Sequence, residues 1–287
     1  MRIATITKGS ETAAIVIDSS DDYLFADELF PGGEYKDCLD VIKNLSPTQI
    51  TQSFLTSSLQ KRKLVDVEFH APYRQPEMIW GIGLNYLDHA SDLSAVAPGD
   101  EPASFIKGNH TIIGPGEEIR IPIQSKRTTA EAELGIVIAK DCRNVSEKDA
   151  LNYVFGVVPI LDQTAEDILQ KNPRFLTRSK NFDTFFSFGP WIMVLDEVLE
   201  KNSSIGEMTV STIHNGNVHR SNQVINMTFG PENLISFHSA VFTLQPGDII
   251  STGTPGAVHI TEGDIVGCDI SGVGSLQNSV INAKEGS

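Results

Sequence analysis

Cysteine is scarce in this chain: Cys38, Cys142 and Cys268 are its whole complement, widely spaced, with no C-x-x-C among them. An odd, scattered set does not build a disulfide framework, and a reducing cytoplasm is the compartment that suits it. Cys142 and Cys268 read as small buried hydrophobes rather than as nucleophiles. Long apolar runs are missing too. No stretch approaches the ~20 residues that cross a bilayer. The opening MRIATITKGSETAAIVIDSS lacks the apolar core and small-residue cleavage site of a secretory signal. Positive charge is the third shortage, with 22 Lys and Arg against 37 Asp and Glu and a formal charge of -15. No basic patch exists to neutralise phosphates, which excludes nucleic acid as a partner. Acidity aids solubility without specifying a fold. It also means that an anionic substrate needs a local cation, a role that a bound metal would fill.

Among 287 residues, 40% are hydrophobic and 21% charged, the balance of a globular protein with a sizeable core. The length suits one large domain with a small companion. Residues 1–72 read as a small α/β segment: a hairpin of ATIT and AAIVID around KGSET, then a polar, partly helical stretch from Tyr35 to Lys63. The prolines of APYRQPEM mark the boundary to a catalytic unit over residues 73–287. There, IWGIGL, GEEIRIP, AEAELGIVIAKD and VVPILD read as strands, and SEKDALNYVFG as a helix opened by Ser146. TAEDILQ starts a short helix, EMTVSTIHNGNVHR is a hairpin turning at Asn215-Gly216, and PENLISFHSAVF is helical. Strands dominate at irregular spacing without βαβ alternation. The expected class is therefore β-rich α+β, a mixed β-roll or sandwich with a few helices.

Five motifs carry polar chemistry. Gly81-Ile82-Gly83-Leu84-Asn85-Tyr86 imitates a dinucleotide fingerprint but has Tyr86 where the third glycine is needed, so that reading is rejected. Glu131 and Glu133 alternate on a strand and share a face. Two buried carboxylates side by side require a cation or a proton. With Asp162, at the end of VVPILD, they form an oxygen donor set that suits Mg²⁺, Mn²⁺ or Ca²⁺. A solvated acidic edge is the alternative for such a pair alone. His89, with Asp92 three residues on, has the makings of a general base and its orienting acid; a surface histidine among surface acids has the same spelling. Lys180, in RSKNFDT, can balance an anionic site. The turn Thr252-Gly253-Thr254 offers hydroxyl and amide donors to a carboxylate or oxyanion.

In this order, GIGLNYLDHA, FIKGNHTIIGPGEEIRIP, EAELGIVIAKDCRNVSEKDA, LDQTAEDIL, RSKNFDTFFSFGPWI, STGTPGAV and GDIVGCDISGVGSLQN resemble the fumarylacetoacetate hydrolase family, from about Pro72 to Val280. The resemblance implies the family's mixed β-roll and, for its smaller members, an N-terminal domain and a homodimer. It implies Glu131, Glu133 and Asp162 as ligands of a divalent metal, Mg²⁺, Mn²⁺ or Ca²⁺. His89 takes the place of the catalytic histidine, and Asp92 that of the glutamate that activates it. Lys180 matches the site lysine, while Lys107, Gly253 and Thr254 are expected at the substrate. The implied reaction is hydrolysis of a C–C bond in a small acylpyruvate-like keto acid, with decarboxylation or enol–keto tautomerisation as alternatives within the fold.

Three departures stand out. Asp92 is one methylene shorter than the usual glutamate, Thr129 stands where an acid is common, and Glu166 replaces the arginine of a helix that usually reads SARDLQ. They motivate an alternative of another class, a non-catalytic member that binds a metabolite or a partner protein.

Overall fold

Two segments rich in β-branched and other apolar residues, with small residues and a few polar ones between them, TTAEAELGIVI and VFGVVPILDQTA, form the centre of the molecule. The structure, a computed structural model, describes residues 1–86 and 99–283. The strands Thr128–Ile138 and Val154–Ala165 pair antiparallel along their whole length, from Thr128 opposite Ala165 to Ile138 opposite Val154, and every residue in both is buried. Strands covered on both faces read as near-continuous apolar runs, which is how these two appear in the sequence.

The pair anchors a 13-stranded sheet. Ile249–Ser251 and Ala257–Ile260 both pair with the outer edge of Thr128–Ile138, leaving residues 252–256 outside the ladder between them. Ile79–Gly83 continues the sheet parallel to Ile249–Ser251, followed by Ala103–Lys107. On the opposite side, Trp191–Val194 and Phe186–Phe188 pair with Val154–Ala165. The N-terminal hairpin, Arg2–Lys8 and Glu11–Ile17, joins this same sheet through Trp191–Val194. A second, five-stranded sheet runs from Asn217–Gln223 through Thr209–His214, Ile265–Ile270 and Gly274–Asn282 to Ile119–Ile121.

Side-chain alternation then divides two cores. Ala130, Ala132, Leu134 and Leu161 pack with Val210, Val266, Cys268 and Leu276 of the second sheet. Val137, Val158 and Ile160, on the other face, pack with Phe186, Phe188, Ile192 and the N-terminal Leu24, Cys38 and Val41. The β-rich α+β class expected from the sequence is what the structure shows. Asn215 and Gly216 both take positive φ, 49° and 78°, as a type I′ hairpin turn requires. The stretch from Tyr35 to Lys63 resolves into Cys38–Asn44, capped by Asp37, and Pro47–Thr56, opened by a Ser46/Gln49 capping box. The helix expected after Ser146 is shorter and tighter: a 3₁₀ segment over Glu147–Tyr153 gives way at Val154 to the central strand, because VFGVV continues a β-branched run. Among the described residues no helix is long and apolar enough to cross a membrane.

Two positions make the packing testable. A Cβ on Gly156 would lie 2.1 Å from the main-chain oxygen of Met193, where the N-terminal strands join, whereas at Gly83 the nearest atom is 3.8 Å away. Gly156→Ala is expected to cost about 2–3 kcal/mol in urea unfolding and Gly83→Ala less than about 1 kcal/mol. Equal losses would remove the steric explanation. His238, in the helix Pro231–Val241, is fully buried; its Nδ1 donates to the carbonyl of Leu234 at 2.7 Å, and its ring lies 4.6 Å from that of Trp80. Burial holds its pKa below the ordinary value. The unfolded chain takes up this proton near pH 6.5 and the folded chain resists it, so the contribution is present above about 6.5 and lost as pH falls. Melting curves between about pH 7 and pH 5 should therefore slope less for His238→Leu than for the parent.

Candidate metal centre

Glu131 lies directly opposite Asp162, and Glu133 opposite Ile160, so all three carboxylates fall on one face of the central pair. One oxygen from each lies within 4.8 Å of the others, and all three residues are buried. The face that carries Val137, Val158 and Ile160 at one end thus carries three acids at the other.

Each carboxylate is held by specific donors. Glu131 accepts from the Thr164 hydroxyl at 2.7 Å on Oε1 and from Lys180 Nζ at 2.8 Å on Oε2. Thr129, where an acid is common in the family resembled, puts its hydroxyl 3.4 Å from the same Oε1. Asp162 accepts from Lys107 on Oδ1 and Lys180 on Oδ2, each at 2.5 Å. Glu133 Oε2 accepts from the Ser251 hydroxyl at 2.6 Å and from the Gly253 amide at 2.8 Å. That last donor comes from residues 252–256, the segment outside the ladder. Gly253 has φ +95°, and a Cβ there would meet Asn85 at 2.8 Å, so only glycine brings this amide to the carboxylate. Asn85 in turn donates to the carbonyls of Thr252 and Phe229 and accepts from the Phe229 amide, tying three loops together beside the site.

The electrostatics match a site for a hard cation. Burial, with Asp162 and Glu131 as neighbours, pushes the Glu133 carboxyl up to about 8. Burial works against the Lys180 charge, but Asp162, Glu131 and Glu133 outweigh it and raise its pKa. For Lys107 burial prevails over the attraction of Asp162, and the neighbouring Lys180 adds to the lowering. Two ammoniums offset two of the three carboxylates, and the third, Glu133, needs either a proton or a cation in this buried, all-oxygen donor set. That set fits a divalent ion of the Mg²⁺, Mn²⁺ or Ca²⁺ kind.

The structure thus brings together Lys107, Glu131, Glu133, Asp162, Lys180 and Gly253. Thr254 is close by in sequence, but its hydroxyl is engaged within its own turn, with the carbonyl and amide of Gly256. Lys107 and Gly253, expected at the substrate, direct donors at Asp162 and Glu133. His89 and Asp92 lie outside the described residues. Sequence reasoning missed Thr164, Ser251 and Asn85; register with the carboxylates was the signal for the first, and the other two depend on long-range contacts. Glu166, the charge reversal, is taken up by Arg127 at 2.5 Å and by Gln170 at 3.0 Å, so a cation from the neighbouring strand entrance neutralises it.

A profile described as the C-terminal region of fumarylacetoacetate (FAA) hydrolase matches residues 78–281. An uncharacterised protein of Archaeoglobus fulgidus is 39% identical over 219 residues, 76% of this chain and 84% of the relative. A mitochondrial oxaloacetate tautomerase of Xenopus laevis is 33% identical over 245 residues, 82% of this chain and 75% of the relative. Among solved structures, maleylpyruvate hydrolase from Sphingobium sp. SYK-6, in complex with manganese(II) and pyruvate, superposes with a TM-score of 0.81 at 26% identity, covering 99% of this chain and 100% of that one.

Removing a donor that orients a ligand typically weakens metal binding about 10–100-fold. Thr164→Val and Ser251→Ala should each weaken Mn²⁺ binding by about tenfold in calorimetric titration, whereas Glu166→Gln should leave it within about twofold. A large effect of Glu166→Gln would place that carboxylate in the metal site after all.

Proposed function

Because the chain belongs to the fumarylacetoacetate hydrolase family, we propose that it is a divalent-metal-dependent enzyme acting on a small 2-keto acid through its enol or enolate form. The observation that carries this reading is the buried face on which Glu131, Glu133 and Asp162 meet two lysines. Glu131, Glu133 and Asp162 would hold the ion. When bound, a divalent ion supplies Lewis-acid polarisation of the keto oxygen. Thr164, Ser251 and the Gly253 amide fix the carboxylates, so that little reorganisation is left for the moment of reaction. Lys180 keeps a positive charge at the edge of the cluster, against the negative charge that develops on the substrate oxygen. His89 and Asp92, matched by the family resemblance, would supply the proton transfer.

Two outcomes follow from one enolate. In keto–enol tautomerisation, His89 takes a proton from the carbon beside the keto group and the enol oxygen gains one. In hydrolysis, His89 activates water; its oxygen adds to the distal carbonyl, the C–C bond breaks, and the released carbon takes up a proton. We place tautomerisation of a small keto diacid first, because the oxaloacetate tautomerases of Xenopus laevis and Rattus norvegicus are 33% and 32% identical over at least 70% of both chains. Hydrolysis of an acylpyruvate is the second reading, supported by the likeness to the manganese- and pyruvate-bound maleylpyruvate hydrolase. A homodimer is the assembly expected of such a protein.

The test is turnover by metal-stripped protein with Mg²⁺ or Mn²⁺ restored, following the enol absorbance of oxaloacetate and of acylpyruvates and identifying products. Metal-restored loss of the enol signal without cleavage establishes the tautomerase; two acids as products establish the hydrolase. Glu131→Ala/Glu133→Ala should abolish either, and His89→Ala should lower kcat by about 100-fold or more. Tight metal binding with no turnover of any 2-keto acid would overturn the enzymatic reading in favour of a binding role.

A further inference from the structure

Among the described residues, Lys107 is the cation at the site whose side chain has no contact with solvent, at 0% exposure against 7% for Lys180. It ends the strand Ala103–Lys107, paired with Ile79, and its ammonium donates to Oδ1 of Asp162 and to the main-chain carbonyl of Lys180. The same junction is clasped from outside. Asn181 accepts from the Gly108 amide at 2.7 Å and donates to the carbonyl of Ile106 at 3.0 Å and of Thr177 at 2.8 Å, and its own carbonyl meets the His110 ring at 3.0 Å. The end of the helix Leu176–Lys180 is therefore pinned to the end of the strand Ala103–Lys107 by an inner ammonium and an outer amide. Phe105, on that strand, lies under the Lys180 ammonium, 4.8 Å from it.

We propose that Lys107 is a positioning residue: fixed between Asp162 and the backbone of Lys180, it sets which oxygen of Asp162 is turned away from the ion position and where the Lys180 ammonium emerges, without itself meeting the substrate. The argument is geometric. Its ammonium is fully enclosed, and its two acceptors are a candidate metal ligand and the chain segment that carries the other lysine. A residue that bound substrate would need a donor directed at the open side of the cluster. Lys107 reaches Asp162 on the oxygen that Lys180 does not use, so the two lysines divide that carboxylate between them. Loss of Lys107 leaves Oδ1 of Asp162 and the carbonyl of Lys180 without their shared donor, loosening the carboxylate and the second ammonium together.

The proposal rests on the metal-dependent reading above, and its test separates the two. Lys107→Met and Lys107→Gln would be loaded with Mn²⁺ and compared with the parent by electron paramagnetic resonance before any substrate is added. The expected result is an altered zero-field splitting in Lys107→Met, moved back toward the parent spectrum in Lys107→Gln, whose amide can still donate. With the 2-keto acid found to turn over, kcat of Lys107→Met should fall at least about tenfold while KM stays within about threefold. A KM raised about tenfold with kcat and spectrum unchanged would make Lys107 a substrate ligand and overturn the proposal. A lowered melting temperature with spectrum and kinetics unchanged would overturn it in favour of a purely structural role. If Lys107→Met does not fold, Asn181→Ala loosens the same clasp from outside and should shift the spectrum away from the parent; no shift there overturns the proposal. Absence of any turnover would defeat the functional reading while leaving the spectroscopic comparison to decide this one.

Discussion

Three carboxylates buried on one face of one strand pair are the constraint around which this structure is arranged. With oxygens within 4.8 Å of one another, each pair of like charges repels by about 3 kcal/mol at an effective dielectric of about 20. Three such pairs together come to on the order of 10 kcal/mol, as much as the whole net stability of an ordinary domain. A fold cannot carry that term uncompensated. Lys107 and Lys180 are buried beside the acids for this reason, and lysine is otherwise among the residues least often fully buried. The third carboxylate, Glu133, is left needing a proton or a cation, and that is the physical basis for expecting an ion.

The same constraint explains the irregular edge of the central sheet. A continuous partner strand along Thr128–Ile138 would have spent its amides on the ladder. Instead the partner is split into Ile249–Ser251 and Ala257–Ile260, and the intervening turn gives one amide and one flanking hydroxyl to Glu133. Gly253 adopts the backbone conformation that this needs; the Thr252 amide still reaches the Leu134 carbonyl, and Asn85 donates to the Thr252 carbonyl. Satisfying a buried carboxylate outweighs regular pairing here, because an unmet charge costs more than one interrupted ladder.

Much of this was legible in the sequence, and what was not has a common cause. Alternation placed Glu131 and Glu133 on one face, and VVPILD read as a buried strand ending in an acid; both inferences need only local geometry. Asn215-Gly216 announced its hairpin for the same reason, since the φ values of a type I′ turn favour few residue types. The segment after Ser146 misled because a capping serine and a polar run fit a helix locally, while the β-branched residues that follow belong to a strand whose partner is distant in sequence. Thr164, Ser251 and Asn85 were opaque because each is an ordinary residue whose role comes from register and loop closure. Glu166 looked like a disruption of the site; its partner, Arg127, lies 39 residues away and sits beside it only because Glu166 and Arg127 flank the same ladder end.

Charge counting connects the site to the chain as a whole. The protein carries a formal charge of -15, which by itself repels an anionic substrate. At the proposed centre, three carboxylates meet two ammoniums and, on the reading put forward above, one divalent ion, leaving a local balance of one positive charge. The lysines are what turn that balance positive: with an ion but no lysines the same face would remain negative and would hold the ion without attracting an anion. On that reading the carboxylates would hold the ion, while the two ammoniums would set the sign of the local charge. That division also rationalises two lysines where one would neutralise Asp162. One ammonium is fixed by the backbone behind the carboxylate, and the other, anchored by the first, stands nearer the edge of the cluster where new negative charge would appear.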